Sequence, residues 1–566
     1  MRVLGRLVRN ILMFVLGPLW WGLRAVARPR KPWILLRIQP QLVAFQRPVR
    51  GWKRLFANKN RSMQTSLHAL KHLVERLQAD PKVEGLLIIL PPVRAGWATV
   101  HSARVLLHSL RASGKKVFVF LPRGGSHREL YLASAADRVL ASPQSRFGPL
   151  GLAAQSHYVK PLLDKTGIGV EVEARSEYKT AAETVTNESM SEAQREQMLR
   201  LLTQIDDALN TAWTERGANL STEDILLGAK RAIETGLIDG MCYEDALLQE
   251  TGCAQPHTHK TWSKHFGSAL RYQAWHRARW LQPVRQRKHI AVIPIHGPIT
   301  EEPLKWPNRD GAALGPLTRT LRKVARNSKT AGVVLHIDSP GGSALASDLL
   351  HQEIALLARH KPVVACFGTV AASGGYYVAA PAHAIVAEPL TITGSIGVLM
   401  AKLVAQPLLE RLGIRTETIR TKAGADMFSS ARALTAEERA VLAREADSFY
   451  AAFVNVVAAG RGKSFDTIEA LARGRVWSGQ DAYDKGLVDV LGGLDTALEE
   501  VRRRLSNTRP KERDALEALV VPASDDNHLF PTPILPPQAQ ALTDLAWLGL
   551  SRDRALYYAL NIPWIP

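Results

Sequence analysis

The chain has 566 residues, room for about three to four domains, and this length excludes a small disulfide-stapled scaffold. Hydrophobic residues make up 46% and charged residues 22%, which excludes general disorder and a polytopic membrane protein. Lysine and arginine outnumber aspartate and glutamate by 73 to 52, and the net charge of +21 favours an anionic partner, either a membrane surface or nucleic acid. Three cysteines are too few for a disulfide framework, and the sequence leaves open whether Cys242 and Cys253 pair.

Residues 1–31 place a short uncharged run, Ile11 to Leu23, between clusters of basic residues. As a helix this run rises roughly 20 Å, less than the roughly 30 Å of a bilayer's hydrocarbon core. The A-x-A triplet that follows resembles a signal-peptide cleavage site, but Arg24 lies inside the region where cleavage would occur. We expect a membrane-associated segment, either an uncleaved short anchor, a cleaved signal or an amphipathic helix.

An internal repeat organises the rest of the chain. Residues 131–152 align without a gap to residues 377–398, so that Pro143 meets Pro389 and Gly148 meets Gly394. The register continues upstream, where "GLLIIL" matches "GVVLHI", and downstream, where "ETGLIDG" matches "DKGLVDV". The repeat predicts two homologous domains of about 200 residues each.

The linker between the two copies, residues 253–289, interleaves tryptophans with arginines. This composition fits a membrane-interfacial surface, a nucleic-acid surface, or a solvated helix whose aromatic rings pack against the body.

The second copy alternates short apolar runs with helical stretches. "IAVIPI", "GVVLHI", "PVVACF" and "AIVAE" predict buried strands, and the residues from Leu349 to Leu357 have helical periodicity. A longer helix is expected from Leu434 to Ala459, opened by a capping box of Thr435 and Glu438. Strands that alternate with helices predict an α/β fold with mainly parallel sheets.

The two copies differ where chemistry is expected. The second copy has "IDSPGGSALAS" and "AASGGYY", whereas the first has bulky residues at both places and His127 opposite Ser373. Glycine turns let main-chain N–H groups face a ligand, so these turns could form an oxyanion hole beside a nucleophilic serine. The alternative is a pair of tight structural turns, but a purely structural need should persist in both copies.

A nucleophilic serine requires a base. His336, His351, His360 and His383 lie in the second copy, but none is in a recognisable loop near an acid, and the G-x-S-x-G pattern is missing around Ser373. A neutral lysine is the alternative, and Lys179 in "SEYKTAAE" follows an apolar strand of the first copy, with Lys422 as a rival. Either lysine needs a depressed pKa to act as a base, and taken alone Lys179 would be a surface lysine.

These motifs, together with "TGSIGV", "GRVWSGQDAYDKGLVD" and the two-copy layout, resemble the long form of the signal peptide peptidase A family, protease IV. The resemblance implies two tandem domains with a fold like that of Clp protease and the crotonases. It also implies that Ser373 is the nucleophile and that Lys179 is the general base, supplied by the other copy. Gly342 and Gly374 would supply the oxyanion-hole N–H groups, and Ser395 would orient the lysine amine.

The resemblance further implies a serine endopeptidase that degrades released signal peptides and other short apolar peptides through an acyl-enzyme. The family forms ring-like homo-oligomers, here expected to be a tetramer, at the bacterial cytoplasmic membrane with the catalytic body on the outer, periplasmic face. An anionic membrane surface is therefore the expected partner, with no nucleic acid, cofactor or metal. Two other hypotheses remain, a catalytically worn membrane scaffold of the same fold and an acyl-CoA-processing crotonase-like enzyme.

The expected organisation has five parts. Residues 1–31 form an N-terminal membrane segment, residues 32–252 the first copy, which supplies the lysine, and residues 253–289 a linker. Residues 290–505 form the second copy, which supplies the serine. Residues 506–566 form a proline-rich extension that could pack on the body or touch a membrane.

Overall fold

A computed structural model describes seven stretches of the chain: residues 31–45, 65–253, 258–277, 287–303, 311–505, 510–514 and 516–523. The chain forms two compact units. The first unit takes its residues from 1–152 and 203–287, and the second from 153–202 and 288–566. The uncharged N-terminal run and the aromatic C-terminal end lie outside the described residues.

The first unit is built on a six-stranded sheet in which all neighbouring strands are parallel. From edge to edge the strands are Gly240–Met241, Arg138–Ala141, Lys116–Leu121, Gly85–Ile89, Trp33–Arg37 and Phe266–Ser268. The three central strands carry nearly continuous buried apolar residues, which is typical of a parallel sheet covered on both faces. A second, three-stranded sheet contains Gly124–Gly125, Arg146–Phe147 and Leu227–Gly228, and a two-stranded sheet contains Leu42–Val43 and Thr65–Ser66.

The first unit also contains α-helices. They are Leu67–Ala79, Trp97–Ala112, His127–Ala133, Ala229–Glu234, Leu247–Glu250, His259–His265 and Ala269–Arg277. Trp262 of the linker packs against the apolar core of this unit. Cys242 and Cys253 are both free thiols in this structure, so they do not pair here.

The second unit contains an eight-stranded sheet that carries the candidate site. Its main path runs Val476–Ser478, Ile392–Gly394, Val363–Ala372, Thr330–Ser339, His289–His296 and Glu517–Val520, with Ala384–Ala387 and Val490–Leu491 branching from it. All of its described pairs are parallel except that of Ile392–Gly394 with Val476–Ser478. The four predicted strands of the second copy are confirmed, and each contributes apolar residues to one buried core.

Two smaller sheets and a set of helices complete the second unit. The sheets pair Ile299–Thr300 with Ala312–Ala313 and, antiparallel, Gly169–Ala174 with Leu399–Val404. The described helices are Lys160–Thr166, Glu183–Thr186, Leu314–Arg326, Ala344–Ala358, Gly374–Ala379, Gln406–Arg411, Ala436–Arg461, Phe465–Leu471, Gly479–Asp484, Leu494–Arg503 and Pro510–Asp514. Helix Glu192–Glu215 begins in this unit and ends in the first.

The longest of the described helices, Ala436–Arg461, begins as the sequence predicts. Thr435 is its N-cap, and the Thr435 hydroxyl accepts the Glu438 N–H while the Glu438 carboxylate accepts the Thr435 N–H. The helix ends at Gly462, which adopts the left-handed conformation that favours glycine. Within the stretches that the structure describes, no helix combines the length and apolar character needed to cross a bilayer.

Candidate active site

Ser373 lies at the carboxyl end of strand Val363–Ala372 and is the N-cap of helix Gly374–Ala379. Its main-chain angles, φ 53° and ψ −121°, are strained for a residue with a Cβ, and such strain concentrates at functional sites. The Ser373 N–H donates to Gly394 O at 2.8 Å, and the Ser373 carbonyl accepts the N–H groups of Tyr376 and Tyr377. Main-chain hydrogen bonds on both sides therefore hold the hydroxyl at the sharp turn between strand and helix.

The glycine turn of "DSPGGS" packs closely against Ser373. A Cβ on Gly341 would lie 2.8 Å from the Ser373 Cβ, and a Cβ on Gly342 would lie 2.1 Å from Ile299 O. Both glycines have positive φ, 103° and 152°. Only glycine combines this conformation with so close an approach of two main chains, which explains the motif.

Two amides of these turns face the same region. A Cβ on Gly374 would lie 3.3 Å from Gly342 N, so the two residues are neighbours in space. Within the described part of the chain, the N–H groups of Gly342 and Gly374 donate to no other protein group. Two free N–H groups beside a serine can bind the oxyanion of a tetrahedral intermediate.

Lys179 reaches this serine from the segment 153–202, which belongs to the same compact unit. Its Nζ lies 3.2 Å from Ser373 Oγ and 2.9 Å from both the hydroxyl and the carbonyl oxygen of Ser395. Burial of the amine lowers the pKa of Lys179 from 10.5 to about 7 because the charged form loses its hydration. The structure thus brings together all five residues singled out from the sequence: Ser373, Lys179, Gly342, Gly374 and Ser395.

The main chain of Lys179 is held by residues that the sequence did not single out. A Cβ on Gly474 would lie 2.6 Å from Lys179 N, and the Tyr178 N–H donates to Arg473 O. Gln197, only 4% exposed, donates from Nε2 to Tyr178 O at 3.2 Å and accepts the Val476 N–H on Oε1 at 2.9 Å. Gln197 therefore ties the lysine segment to strand Val476–Ser478, which pairs with the strand leading to Ser395.

Ser373, Lys179 and Ser395 line one cavity of about 1170 Å³. Apolar side chains dominate its wall, and they include Met198, Leu201, Leu345, Val398, Leu399, Phe449 and Phe453. Asp348 is its one carboxylate among the described residues, and it accepts a hydrogen bond from the Tyr377 hydroxyl at 2.8 Å. Such a cavity suits an extended apolar peptide.

The rival bases lie elsewhere. Lys422 is exposed in the loop before the longest helix. His383 Nδ1 accepts the Val363 N–H at the opposite end of the serine's strand, and His336 is buried against His296. Among the described residues, neither Lys422 nor any of the four candidate histidines, His336, His351, His360 and His383, lines the cavity.

The first copy has an internal carboxylate where the second has its glycine turns. The Val93 N–H donates to Glu129 Oε1 at 2.5 Å, and the Ser126 N–H donates to Glu129 Oε2 at 2.8 Å. His127, opposite Ser373 in the repeat, accepts the Gly151 N–H on Nε2. Two amides beside these turns thus bind an internal carboxylate, and His127 stands at the position of Ser373.

Comparisons with known proteins match this layout. The family model described as peptidase family S49 matches residues 109–252 and 355–508, one region in each copy. The chloroplastic serine protease SPPA of Arabidopsis thaliana is 32% identical over 78% of this chain and 66% of that protein, just under two thirds of its length. Protease 4 of Salmonella typhi is 30% identical over 78% of this chain and 72% of that protein. A ClpP1 mutant from Listeria monocytogenes aligns with 36% of this chain and 93% of its own, at 18% identity and a TM-score of 0.25.

Proposed function

This chain belongs to peptidase family S49 and is a serine protease, and we propose that Ser373 is its nucleophile and Lys179 its general base. The observation that carries the proposal is the 3.2 Å distance between Lys179 Nζ and Ser373 Oγ, with the amine buried. At a pKa of about 7, about half of the amine is neutral near pH 7 and can accept a proton.

The hydrogen bonds of Lys179 favour the geometry that a base requires. A neutral amine has two hydrogens and one lone pair. The two oxygens of Ser395, each 2.9 Å away, can accept both hydrogens, which leaves the lone pair for the Ser373 hydroxyl. Ser395 therefore serves as the positioning residue of the lysine.

The reaction then follows from these positions. Ser373 Oγ attacks the peptide carbonyl while Lys179 accepts its proton, and the N–H groups of Gly342 and Gly374 bind the oxyanion. Lys179 returns the proton to the leaving amine, and the acyl-enzyme on Ser373 remains. In deacylation a water molecule attacks the acyl carbonyl while Lys179 accepts its proton, and Lys179 then returns that proton to Ser373 Oγ as the ester bond breaks and the carboxylic acid product leaves.

The apolar wall of the cavity supports short apolar peptides, released signal peptides among them, as substrates. We propose that the chain consists of two tandem Clp-protease/crotonase-like domains and forms a ring-like homo-oligomer. It lies at a bacterial cytoplasmic membrane, with the catalytic body on the periplasmic side. Membership of a serine-protease family favours peptide hydrolysis over acyl-CoA chemistry and over a worn scaffold.

A serine-reactive fluorophosphonate probe tests this function. Wild-type protein should be labelled at Ser373 and should hydrolyse an apolar peptide, and Ser373→Ala should lose both. Ser263→Ala, which removes an exposed serine outside the cavity, should keep both. Equal labelling of wild type and Ser373→Ala would show that Ser373 is not the nucleophile. A wild-type protein that shows neither labelling nor hydrolysis would favour the hypothesis of a catalytically worn scaffold.

A further inference from the structure

Helix Leu314–Arg326 presents an unusual surface. It contains no aspartate or glutamate, and its buried side holds Pro316, Leu317, Thr320, Leu321 and Val324. Its exposed basic residues, Arg319, Arg322, Lys323 and Arg326, are spaced three or four residues apart and therefore form one stripe. With Asn327 they line a surface depression of about 430 Å³.

Most of this positive charge is uncompensated. Arg322 pairs with Glu353 of helix Ala344–Ala358 at 2.5 Å. Within the described part of the chain, Arg319, Lys323 and Arg326 have no carboxylate partner. The stripe therefore attracts an anionic partner.

Exposed leucines lie beside this stripe. Helix Ala344–Ala358 packs against the basic helix, and its Leu349 and Leu356 are 43% and 40% exposed. These leucines lie four residues before and three residues after Glu353, so they share the helix face on which Glu353 meets Arg322. The four cations and the two leucines together are called the basic–leucine face.

The repeat shows that the fold does not require this face. Helix Leu67–Ala79 of the first copy has the same 13-residue length and begins 247 positions before Leu314. Opposite the four cations it carries His72, Glu75, Arg76 and Ala79. Glu75 there is paired with Lys71 and His72, so the first copy has mixed charge where the second has cations alone.

We propose that the basic–leucine face docks the second unit on a bilayer that contains anionic phospholipids. Cations bind lipid phosphates and attract the negative surface, while leucines beside them can enter the boundary with the acyl chains. Nucleic acid would use the cations but has no use for exposed leucines, and the stripe has no aromatic side chain for stacking on bases.

Docking in this way leaves the catalytic cavity open. Arg326 precedes the amino end of strand Thr330–Ser339, whereas Ser373 follows the carboxyl end of the neighbouring parallel strand Val363–Ala372. The Arg326 end of the basic stripe and Ser373 therefore lie at opposite ends of the sheet. The inference goes beyond the proposed peptidase function and does not depend on the Ser373–Lys179 pair.

The test is flotation of the full chain with vesicles of phosphatidylcholine alone or with phosphatidylglycerol added. The triple variant Arg319→Gln, Lys323→Gln, Arg326→Gln should lose its preference for the anionic vesicles, by about fivefold per cation at low salt. The control variant Lys82→Gln, Lys116→Gln, Lys230→Gln removes the same charge from exposed sites and should keep the preference. Hydrolysis of a soluble apolar peptide should be unchanged in both variants, which shows that they fold.

A second set of variants tests the role of the leucines. Leu349→Ser with Leu356→Ser should weaken binding to anionic vesicles, whereas Leu226→Ser with Leu270→Ser, at exposed leucines off the face, should not. The proposal fails if wild type binds both vesicle types equally, if the charge control loses as much as the triple variant, or if the Leu349 and Leu356 substitutions change nothing. Loss of duplex DNA retention by the triple variant, with vesicle binding intact, would assign the face to nucleic acid instead.

Discussion

The Lys179 amine lies 2.9 Å from both oxygens of Ser395, its hydroxyl and its carbonyl. Ser395 itself has φ 49°, and its N–H donates to Arg475 O at 2.6 Å, so the turn around it is fixed by the main chain. The carbonyl contact would survive any substitution at this position, whereas the hydroxyl contact depends on the serine. The two contributions can therefore be separated.

Ser395→Ala should lower kcat/KM by about tenfold to hundredfold, a part of the roughly 10²–10⁴-fold that a positioned base supplies. Ser395→Gly is the matched control for the backbone, because it also removes the hydroxyl but relieves the strain of positive φ. Equal losses in the two variants assign the effect to the hydroxyl. Full activity of Ser395→Gly would mean that the hydroxyl does not position Lys179.

The buried amine should make the stability of the second unit depend on pH. The pKa of Lys179 is about 7 in the folded state and near 10.4 in an unfolded chain, so between these values the unfolded state binds more protons and stability rises with pH. Below pH 7 the amine is protonated in both states, and the full free-energy cost of burying the charged amine remains. Lys179→Met should therefore raise the free energy of unfolding, measured with urea, near pH 6 by a few kcal/mol at most, about 1.4 kcal/mol per unit of pKa difference, and much less near pH 10. An equal gain at both pH values would contradict the depressed pKa.

Gly474 tests how closely the main chain of Lys179 must be held. Gly474→Ala places a Cβ 2.6 Å from Lys179 N at φ +74°, so the lysine should shift and kcat/KM should fall by about 10²-fold or more. Gly413→Ala has nearly the same φ, +73°, but no atom within 4 Å of its new Cβ. This control carries the same backbone strain and should retain activity. Comparable peptidase losses in both variants would show that strain, not displacement of Lys179, is responsible.

Gln197 should matter for both stability and catalysis. Gln197→Ala leaves the Val476 N–H without this partner and removes one of the two hydrogen bonds to the Tyr178 carbonyl, which keeps the Thr180 N–H, at a cost of about 1–3 kcal/mol in unfolding free energy. A looser lysine segment should also admit water to the amine and raise the apparent pKa in the rate profile. Gln352→Ala, at an exposed position, is the control for both urea unfolding and the pH profile. An unchanged pH profile in Gln197→Ala would reject the positioning role.

Much of the fold is readable from local pattern. The Thr435–Glu438 capping box predicts a helix start that the structure confirms, because both partners lie within one turn. The predicted strand "GVVLHI" extends by two residues at each end, to Thr330–Ser339, since parallel neighbours on both sides supply partners beyond the apolar run. The mainly parallel pairing of the second copy follows from the alternation of apolar runs and helices.

The geometry of the site is harder to predict from the sequence than the fold is, because the residues in contact are far apart along the chain. Lys179 and Ser373 are 194 residues apart, and only the family resemblance paired them. Gln197 and Val476 are 279 residues apart, and Gln197 belongs to no motif. Gly474 is the first residue of the motif "GRVWSGQDAYDKGLVD", but the sequence gives no reason to place it against Lys179. Such positioning contacts depend on how the segment 153–202 packs in its unit, which spacing alone does not encode.

The pH dependence of kcat/KM for an apolar peptide, measured on wild type and on Lys179→Ala, tests the central claim most directly. The account predicts that the wild-type rate rises with pH through about 7, as the amine loses its proton. It predicts that Lys179→Ala is as inactive as Ser373→Ala, because residues that act as one unit lose function together, while Lys422→Ala and His383→Ala keep most activity. Lys179→Ala with near wild-type turnover and the same pH profile would contradict the Ser373–Lys179 pair and make Lys422 the next candidate.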